Sequence, residues 1–336
     1  MLKLSRRSFV LSAVALAACK LGSALIELAG KTMGTHYNVV VVDNGTGVEK
    51  LEVQAAVDAS LSRINTLMSN WDVASEVSRF NAMRSTAPIA VSKDLAVVVQ
   101  AAEDVHKQSD GYFDITLGPV IEAWGFGAPA SLSTAPGTAT IAEAKAHTGQ
   151  GKLSVSGTNL QKTDPDTQMY LSSIGKGYGV DHVAAALSGL GFTDFMVEIG
   201  GDLYVAGKNV DAVSWKIGIE SPDLLSGDVA DVARASNIGL ATSGDYRNFF
   251  EEDGTRFSHI IDPKTGRPVT HNTTSVTVLA ENAMLADAWA TGLLAMGTSR
   301  GVELANDLKI AALFIDRDAL GTHIKSTTEA FDALQA

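Results

Sequence analysis

Residues 239–268 read GLATSGDYRNFFEEDGTRFSHIIDPKTGRP, and this stretch combines two turns with a single histidine. Asp253-Gly254 supplies the positive φ angles of a tight hairpin turn. Apolar-polar runs lie on both sides of it, around residues 247–251 and 256–261. The pattern therefore predicts two short antiparallel strands joined at Asp253-Gly254.

His259 lies on the returning strand of this hairpin, ahead of a second turn at residues 262–266, DPKTG. In that turn the proline sets φ and the glycine closes the loop. A strand with a turn at each end holds a side chain rigidly, as a general base or a close ligand contact requires. The local sequence is equally consistent with a histidine that only packs into a strand.

Length and composition limit the classes of protein to which the chain can belong. With 336 residues, 46% hydrophobic and 19% charged, it is globular and can form one large core or two lobes. The net charge is −12 and no basic stripe occurs, which argues against a nucleic-acid partner. An anionic ligand such as a dinucleotide would need a local cation, either a metal ion or a few Lys and Arg side chains.

The N-terminus, MLKLSRRSFVLSAVALAAC, has the features of an export signal. A basic segment with Arg6-Arg7 resembles a twin-arginine signal, and the apolar run at 9–18 is too short to span a bilayer. Residues 16–19, LAAC, resemble a lipobox and contain the only cysteine of the chain, Cys19. We expect a signal peptide at 1–18 and an exported, periplasmic protein anchored to a bacterial membrane by lipidated Cys19. An ordinary cleaved signal, with Cys19 there by coincidence, is the alternative.

Periodicity and capping residues predict several elements. A strand is expected at 31–43 because the segment is rich in β-branched residues. A helix is expected at 48–68, and helices are expected after the N-caps Ser92 and Asn282, the latter running to about Met296. On the 48–68 helix the apolar stripe is formed by Val57, Leu61, Ile64 and Met68.

Asp287 and Thr291 are four residues apart on the helix that follows Asn282, so they lie on one face, one turn apart. Small alanines surround them and leave room for a ligand to approach. A carboxylate with a hydroxyl oxygen is a hard-oxygen pair that Mg²⁺ favours. The alternative is an aspartate near a helix N-terminus that is stabilised by the helix dipole.

Beyond these patterns, the chain resembles a known family over most of its mature length, from Met33 to Thr291. The matching blocks, in order, are Met33-Gly34-Thr35, MSNWD (68–72) with SEVSRFN (75–81), GYFDITLGP (111–119), WGFG (124–127), LSSIGKGYGVD (171–181), FMVEIGGDL (195–203), TSGDYRNFF (242–250), SHIIDPKTGRP (258–268) and ADAWATG (286–292). On these blocks the chain is identified as a member of the ApbE family of FAD:protein FMN transferases.

The resemblance implies an α+β fold in which two lobes of β-sheet with flanking helices surround a flavin site. It would occupy residues 31–336, after a linker at 19–30. The implied activity is Mg²⁺-dependent transfer of FMN from FAD to a threonine or serine hydroxyl of a partner protein, releasing AMP. The partner would be a membrane redox complex subunit. A FAD pyrophosphatase and a non-catalytic flavin-binding lipoprotein are the alternative functions.

The resemblance also implies a set of site residues. His259 would be the base or would orient the acceptor hydroxyl, and Mg²⁺ would be held by Asp287, Thr291 and the backbone carbonyl of Ser173. The FAD site would be lined by Met33, Trp71, Tyr112, Phe113, Asp114, Tyr170, Lys176 and Ile261. Two positions depart from the family pattern: Trp71 replaces a common tyrosine, and Tyr170 replaces an acid that is assigned a FAD contact.

Overall fold

The computed structural model describes residues 24–127, 134–222, 228–246 and 248–335. Its helices are α1 (Lys50–Met68), α2 (Glu76–Ala82), α3 (Lys93–Gln108), α4 (Gly118–Ala123), α5 (Thr138–Ala146), α6 (Gly175–Gly189), α7 (Ala283–Met296), α8 (Thr298–Asp307) and α9 (Glu329–Gln335), with one 3₁₀ turn at Gln150–Lys152. None of the helices in the described ranges is long and apolar enough to cross a membrane. The expected signal peptide and Cys19 lie outside the described residues.

The strands are β1 (Ala24–Thr32), β2 (Thr35–Asp43), β3 (Ile89–Ala90), β4 (Leu153–Ser156), β5 (Asn159–Lys162), β6 (Phe195–Ile199), β7 (Asp202–Ala206), β8 (Trp215–Glu220), β9 (Val229–Ala235), β10 (Ile238–Gly244), β11 (Phe249–Glu252), β12 (Thr255–Ser258), β13 (Ile261–Asp262), β14 (Arg267–Pro268), β15 (Thr273–Ala280), β16 (Ala311–Arg317) and β17 (His323–Thr327). Eight of them form one antiparallel sheet in the order β1-β2-β6-β7-β10-β15-β16-β17. A smaller three-stranded sheet, in the order β3-β5-β4, packs against α3. The pairs β8–β9, β11–β12 and β13–β14 form three two-stranded sheets. The expected α+β class is confirmed.

Both faces of the large sheet are covered. Successive side chains of a strand point to opposite faces, and in this sheet apolar side chains occur on both. On β15 and β16, Val276 and Phe314 face the core shared with α7, whereas Leu279 and Leu313 face the opposite side. That opposite side is closed by the β8–β9 hairpin and by Phe331 of α9. The helices α1, α6 and α7 therefore lie on one face of the sheet, and the functional residues described below are presented from that face.

The N-terminal part of the sheet differs from the sequence expectation. Instead of one strand at 31–43, β1 and β2 form a hairpin whose turn is Met33-Gly34, with φ angles of 49° and 73°. Residues 24–30 of the expected linker therefore belong to a strand. The segment forms a strand because buried Ile26 and Leu28 alternate with exposed Glu27. This alternation is too short to predict a strand from the sequence when its partner strand is not known.

The predicted helices form where their caps and stripes place them. The apolar stripe of α1 is buried. The Ser92 hydroxyl accepts a hydrogen bond from the Leu95 amide at 3.2 Å, and the Asn282 side chain accepts one from the Leu285 amide at 2.8 Å. Each cap satisfies an amide that has no partner within the helix, which fixes where α3 and α7 begin.

Candidate active site

The N-terminal halves of α6 and α7 approach each other closely at Gly177. A Cβ atom at this position would lie 2.2 Å from the carbonyl oxygen of Ala283, so only glycine allows this distance. Asp181, one turn further along α6, accepts hydrogen bonds from the amides of Ala283 and Met284 at 2.8 and 2.9 Å. The contact fixes the start of α7 against α6 and brings Lys176 next to Asp287.

Asp287, Asp202 and Lys176 form a buried ionic group, which we call the acidic centre. Asp202 is the first residue of β7, and both carboxylates are almost completely buried. The Lys176 ammonium is ion-paired with Asp202 Oδ2 and lies 3.8 Å from Asp287 Oδ1. The Gly177 amide donates to the other Asp287 oxygen at 3.1 Å. Two carboxylates thus share one ammonium group.

The acidic centre is short of positive charge. Burial, followed by the neighbouring Asp202 carboxylate, raises the pKa of Asp287 well above its ordinary value, although Lys176 and the Gly177 amide act in the opposite direction. A carboxyl group whose pKa is raised in this way gains from a further cation nearby. The acidic centre therefore fits a divalent metal ion with oxygen ligands.

Thr291 adds oxygen donors beside Asp287. Its hydroxyl lies one turn further along α7 and is 3.1 Å from the hydroxyl of Ser243 on β10. Ser173 lies in the turn just before α6, three residues ahead of Lys176. Asp287, Thr291 and Ser243 offer carboxylate and hydroxyl oxygens, a donor set of the type that Mg²⁺ prefers.

The sequence pattern predicted His259 on the returning strand of the hairpin. In the structure β12 ends at Ser258, and His259 is the next residue. The hairpin is formed as predicted, with positive φ angles at Asp253 and Gly254. His259 Nδ1 is 3.0 Å from the carbonyl oxygen of Asn248. The same oxygen also accepts a hydrogen bond from the His259 backbone amide. A carbonyl can only accept, so Nδ1 carries the proton and Nε2 carries the lone pair.

The electrostatic surroundings of His259 keep its ring neutral. Burial lowers the pKa of the imidazole most strongly; the Asn248 carbonyl and Asp245 partly oppose this, and Arg256 and Lys176 lower it further. A neutral imidazole with Nε2 as acceptor is a competent general base.

Asp245 and Arg256 attach the hairpin of His259 to the large sheet. Arg256 donates to both the Asp245 carboxylate and the Asp245 backbone carbonyl, each at 2.7 Å. The Asp245 amide in turn donates to the carbonyl of Thr274 on β15 at 2.9 Å. The residue pattern of 239–268 does not indicate this pair, because only the folded hairpin brings Arg256 of β12 back to Asp245, which follows β10.

Trp71 and Tyr170 form an aromatic pair at the surface. Their ring centroids are 5.6 Å apart in an edge-to-face arrangement, and 61% of Trp71 is exposed while Tyr170 is buried. The Tyr170 amide donates to the carbonyl of Ile115 at 2.7 Å. Trp71 therefore offers an open aromatic surface, and Tyr170 supports it from below.

Two asparagines that sequence reasoning missed hold the segment around Tyr170 in place. Asn81 exchanges two hydrogen bonds with the backbone of Met169, each at 2.8 Å. Asn70 donates to the Met169 carbonyl and accepts from the Leu171 amide, at 2.8 and 2.9 Å. The two side chains supply the backbone hydrogen bonds that a neighbouring strand would otherwise make, since a side-chain amide can both donate and accept.

Met33 packs on α6, the helix that carries Lys176. Its side chain packs over Gly179 on α6, where a Cβ atom would lie 2.6 Å from Met33 Cε. Gly179 is three residues from Lys176, which is nearly one helical turn. The turn between β1 and β2 thus places Met33 against Gly179 of α6.

Four further residues expected at the FAD site make contacts within the protein. Phe113 is in the main core, and Ile261 packs in a separate cluster around Trp124. Asp114 accepts hydrogen bonds from the Thr116 and Gln150 amides at 2.7 and 3.1 Å. The Tyr112 ring lies against the cationic groups of Lys264 and Arg300. The structure does not bring these four side chains into the acidic centre.

A second group with metal-ligand chemistry lies at His147, Asp164 and Asp166. Cations already occupy it: Asp164 pairs with His147 at 2.9 Å and with Lys152 at 3.2 Å, and Asp166 pairs with Arg84 at 2.6 Å. The backbone amide of Asp166 and these partners lower the pKa of Asp164 to about 2. The group is thus neutralised by protein charges, unlike the acidic centre.

Comparisons with known proteins agree with the sequence motifs. The model of the ApbE family matches residues 33–314. A FAD:protein FMN transferase of Vibrio cholerae is 40% identical over 304 residues, which are 90% of this chain and 91% of that protein. One of Haemophilus influenzae is 40% identical over 327 residues, which are 95% of this chain and 94% of that protein.

Solved structures extend this similarity to the fold. The flavin transferase ApbE of Vibrio cholerae superposes with a TM-score of 0.86 and 37% identity, covering 93% of this chain and 99% of that one. The apo form of the Pseudomonas stutzeri flavinyl transferase ApbE gives 0.87 and 36%, covering 94% and 99%. The chain therefore belongs to the ApbE family, and its curated relatives are transferases.

Proposed function

We propose that this protein transfers FMN from FAD to a threonine or serine hydroxyl of a partner protein and releases AMP, in a reaction that requires Mg²⁺. Its relatives carry the name FAD:protein FMN transferase, which supports the reaction class. The observation that carries the proposal is the acidic centre, where Lys176 meets the buried carboxylates of Asp202 and Asp287. His259 adds a base-competent group, since its Nδ1 is held by the Asn248 carbonyl. Phosphoryl transfer needs both a proton acceptor and a centre that compensates phosphate charge.

The donor set fits Mg²⁺, because two buried carboxylates share the single Lys176 ammonium and hard oxygen donors lie beside Asp287. Asp287, the Thr291 hydroxyl and the Ser173 carbonyl would hold the ion. When bound, Mg²⁺ supplies charge neutralisation on the pyrophosphate of FAD. Lys176, at the first turn of α6, adds a protein cation near the same phosphates.

In the proposed reaction, His259 Nε2 takes the proton of the acceptor hydroxyl. The hydroxyl oxygen forms a bond to the phosphorus of the FMN half, and the bond between that phosphorus and the bridging oxygen breaks. AMP leaves with the bridging oxygen. Because burial lowers the His259 pKa, the ring is neutral and ready to accept a proton at pH 7. Trp71 and Met33 would contact the flavin or adenine ring.

We also propose the cellular setting. Lipidated Cys19 would anchor the protein to a bacterial membrane on the periplasmic side. A membrane redox complex subunit that carries the acceptor residue would be its partner.

The decisive experiment incubates the protein with FAD, Mg²⁺ and a candidate partner domain, and measures the intact mass of the partner and the AMP released. We expect the partner to gain one FMN through a phosphodiester and AMP to appear in equal amount. AMP without a modified partner would identify a FAD pyrophosphatase instead. Neither product, with FAD still bound, would identify a flavin-binding protein without catalysis.

Asp287→Ala tests the metal site in the same assay. We expect Mg²⁺-dependent turnover to be lost while circular dichroism remains that of the parent, because Lys176 keeps its ion pair with Asp202 in the variant. Asp166→Asn, in the neutralised group at His147, is the matched control and should remain active. Unchanged activity of Asp287→Ala over a Mg²⁺ titration would show that the ion is held elsewhere.

A further inference from the structure

The Lys176 ammonium lies closer to one of the two buried carboxylates of the acidic centre than to the other. It makes a direct ion pair with Asp202, whereas Asp287 Oδ1 lies 3.8 Å away. Asp287 Oδ2 is already engaged by the Gly177 amide. The Asp202 carboxylate also lies within hydrogen-bonding reach of the Asp287 carboxyl group. Oδ1 is therefore the Asp287 oxygen for which the ammonium and a metal ion would compete.

Asp202 is placed more rigidly than Lys176. It is the first residue of β7, opposite Ile199 of β6, and follows a tight turn in which Gly200 and Gly201 have φ angles of 59° and 100°. Only 2% of the Asp202 side chain is exposed, compared with 30% of that of Lys176. A fixed carboxylate thus holds the end of a long, flexible side chain.

Two cations compete when they approach the same carboxylate oxygen, because each repels the other and each neutralises the charge that attracts the other. Without Asp202, the Lys176 ammonium would move towards Asp287, the remaining anion in the acidic centre. It would then occupy the position that a divalent ion needs. With Asp202 present, the Lys176 ammonium is already paired with Asp202 and stays 3.8 Å from Asp287 Oδ1.

We infer that Asp202 is a positioning residue for the metal site: it holds Lys176 and so leaves Asp287 Oδ1 for the divalent ion. This inference rests on the proposed function, since it assumes that Asp287 binds Mg²⁺. Asp202 acts through Lys176 and is not itself a ligand. The distinction can be measured, because a ligand is needed whether or not the lysine is present.

The experiment measures Mg²⁺ binding by isothermal titration calorimetry without FAD, for the parent protein, Asp202→Asn, Lys176→Met and the double variant. We expect Asp202→Asn to weaken binding by about 10–100-fold, as loss of a group that supports a metal ligand does. Lys176→Met should bind at least as tightly as the parent. The double variant should recover most of the affinity that Asp202→Asn loses, which is a non-additive result.

Several outcomes would overturn the inference. If the double variant binds as weakly as Asp202→Asn, Asp202 is a direct ligand; if Asp202→Asn binds like the parent, it has no part in the site. If Asp202→Asn does not fold, Lys176→Met is compared with the double variant, and a loss of about 10–100-fold between those two contradicts the inference. A parent protein that binds no Mg²⁺ would refute the metal site itself, which distinguishes the two failures.

Asp164→Asn is the matched control, since Asp164 is also an aspartate paired with a lysine, but in the group at His147. Its Mg²⁺ affinity should equal that of the parent. If it binds Mg²⁺ more weakly, the measured ion is bound at that group and the inference about Asp202 falls. Circular dichroism of every variant establishes that the binding data refer to folded protein.

Discussion

At the residue scale, the candidate site depends on a few side chains whose charge state is set by their neighbours. His259 is neutral because burial opposes its protonation, and Asp287 gains from a further cation because burial and Asp202 oppose its ionisation. The two groups are thus adjusted in complementary ways, one to accept a proton and the other to receive a metal ion.

The pH dependence of catalysis should follow His259. Because its pKa is lowered, kcat/KM at saturating Mg²⁺ should rise with pH through a midpoint below the ordinary value of about 6.5. The same shift makes protonation unfavourable in the folded state, so His259 contributes to a loss of stability as pH falls below about 6.5. His259→Ala should lower kcat/KM by about 10²–10⁴-fold and remove this acid limb.

The control for that experiment is His36→Ala on β2, an exposed histidine that should leave the profile unchanged. An acid limb that persists in His259→Ala would assign the titration to another group.

Trp71 and Tyr170 should contribute to FAD affinity in different ways. Trp71→Ala removes the exposed ring and should weaken FAD binding by roughly 1–2 kcal/mol, the range of an aromatic stack. Tyr170→Phe keeps the buried ring and should bind FAD nearly normally, whereas Tyr170→Ala removes the support beneath Trp71. Flavin fluorescence titration gives the affinities. Unchanged binding by Trp71→Ala and Tyr170→Ala would place both residues outside the FAD site.

At the scale of elements, the packing of α6 against α7 determines whether the site forms. The two helices meet at Gly177, and the caps from Asp181 and Asn282 fix the first turn of α7. Lys176 and Asp287 are therefore held by two helix starts rather than by loops. Such placement keeps side chains within the narrow geometry that a metal site needs.

Replacing either of two glycines of α6 by alanine should change the free energy of unfolding, in opposite directions at the two positions. Gly177→Ala forces a Cβ atom against Ala283 and should lower the free energy of unfolding by about 1–3 kcal/mol. Gly189→Ala meets no atom within 4 Å and should raise the free energy of unfolding by up to about 1 kcal/mol, since alanine favours helix. Urea unfolding followed by circular dichroism measures both. Equal effects at the two positions would mean that the helices are not in close contact at Gly177.

At the scale of the whole molecule, the large sheet connects the N-terminus to the site. β1 is an edge strand of the sheet and begins five residues after Cys19. Five extended residues span at most about 17 Å. A lipid on Cys19 would therefore keep the β1 edge of the sheet close to the membrane surface.

The anchoring hypothesis has a direct test. Cys19→Ala should release the protein from membranes into the soluble fraction after a salt wash, because the acyl chains account for the attachment. The parent protein should incorporate labelled fatty acid and the variant should not. A Cys19→Ala protein that stays on the membrane after the wash would contradict a lipid anchor at this residue.

The sequence determined the local features of this protein. The start of α7 at Asn282, the stripe of α1 and the hairpin at Asp253-Gly254 were predicted and are observed, because caps, periodicity and turn residues act over only a few positions. The placement of Asp287 and Thr291 on one face of α7 is also a local feature, because it follows from their spacing of four residues in a helix. The family was also evident from the ordered motifs.

The tertiary structure decided which distant residues meet. Asp202 joins Lys176 and Asp287 because α6 and α7 pack on the face of the sheet where β7 begins, and the sequence spacing of these residues gives no sign of it. Likewise, Phe113 and Ile261 became core residues once their loops were packed. Sheet order, strand pairing and the approach of helices are set by burial over the entire chain, so the contacts that they create cannot be inferred from any single stretch.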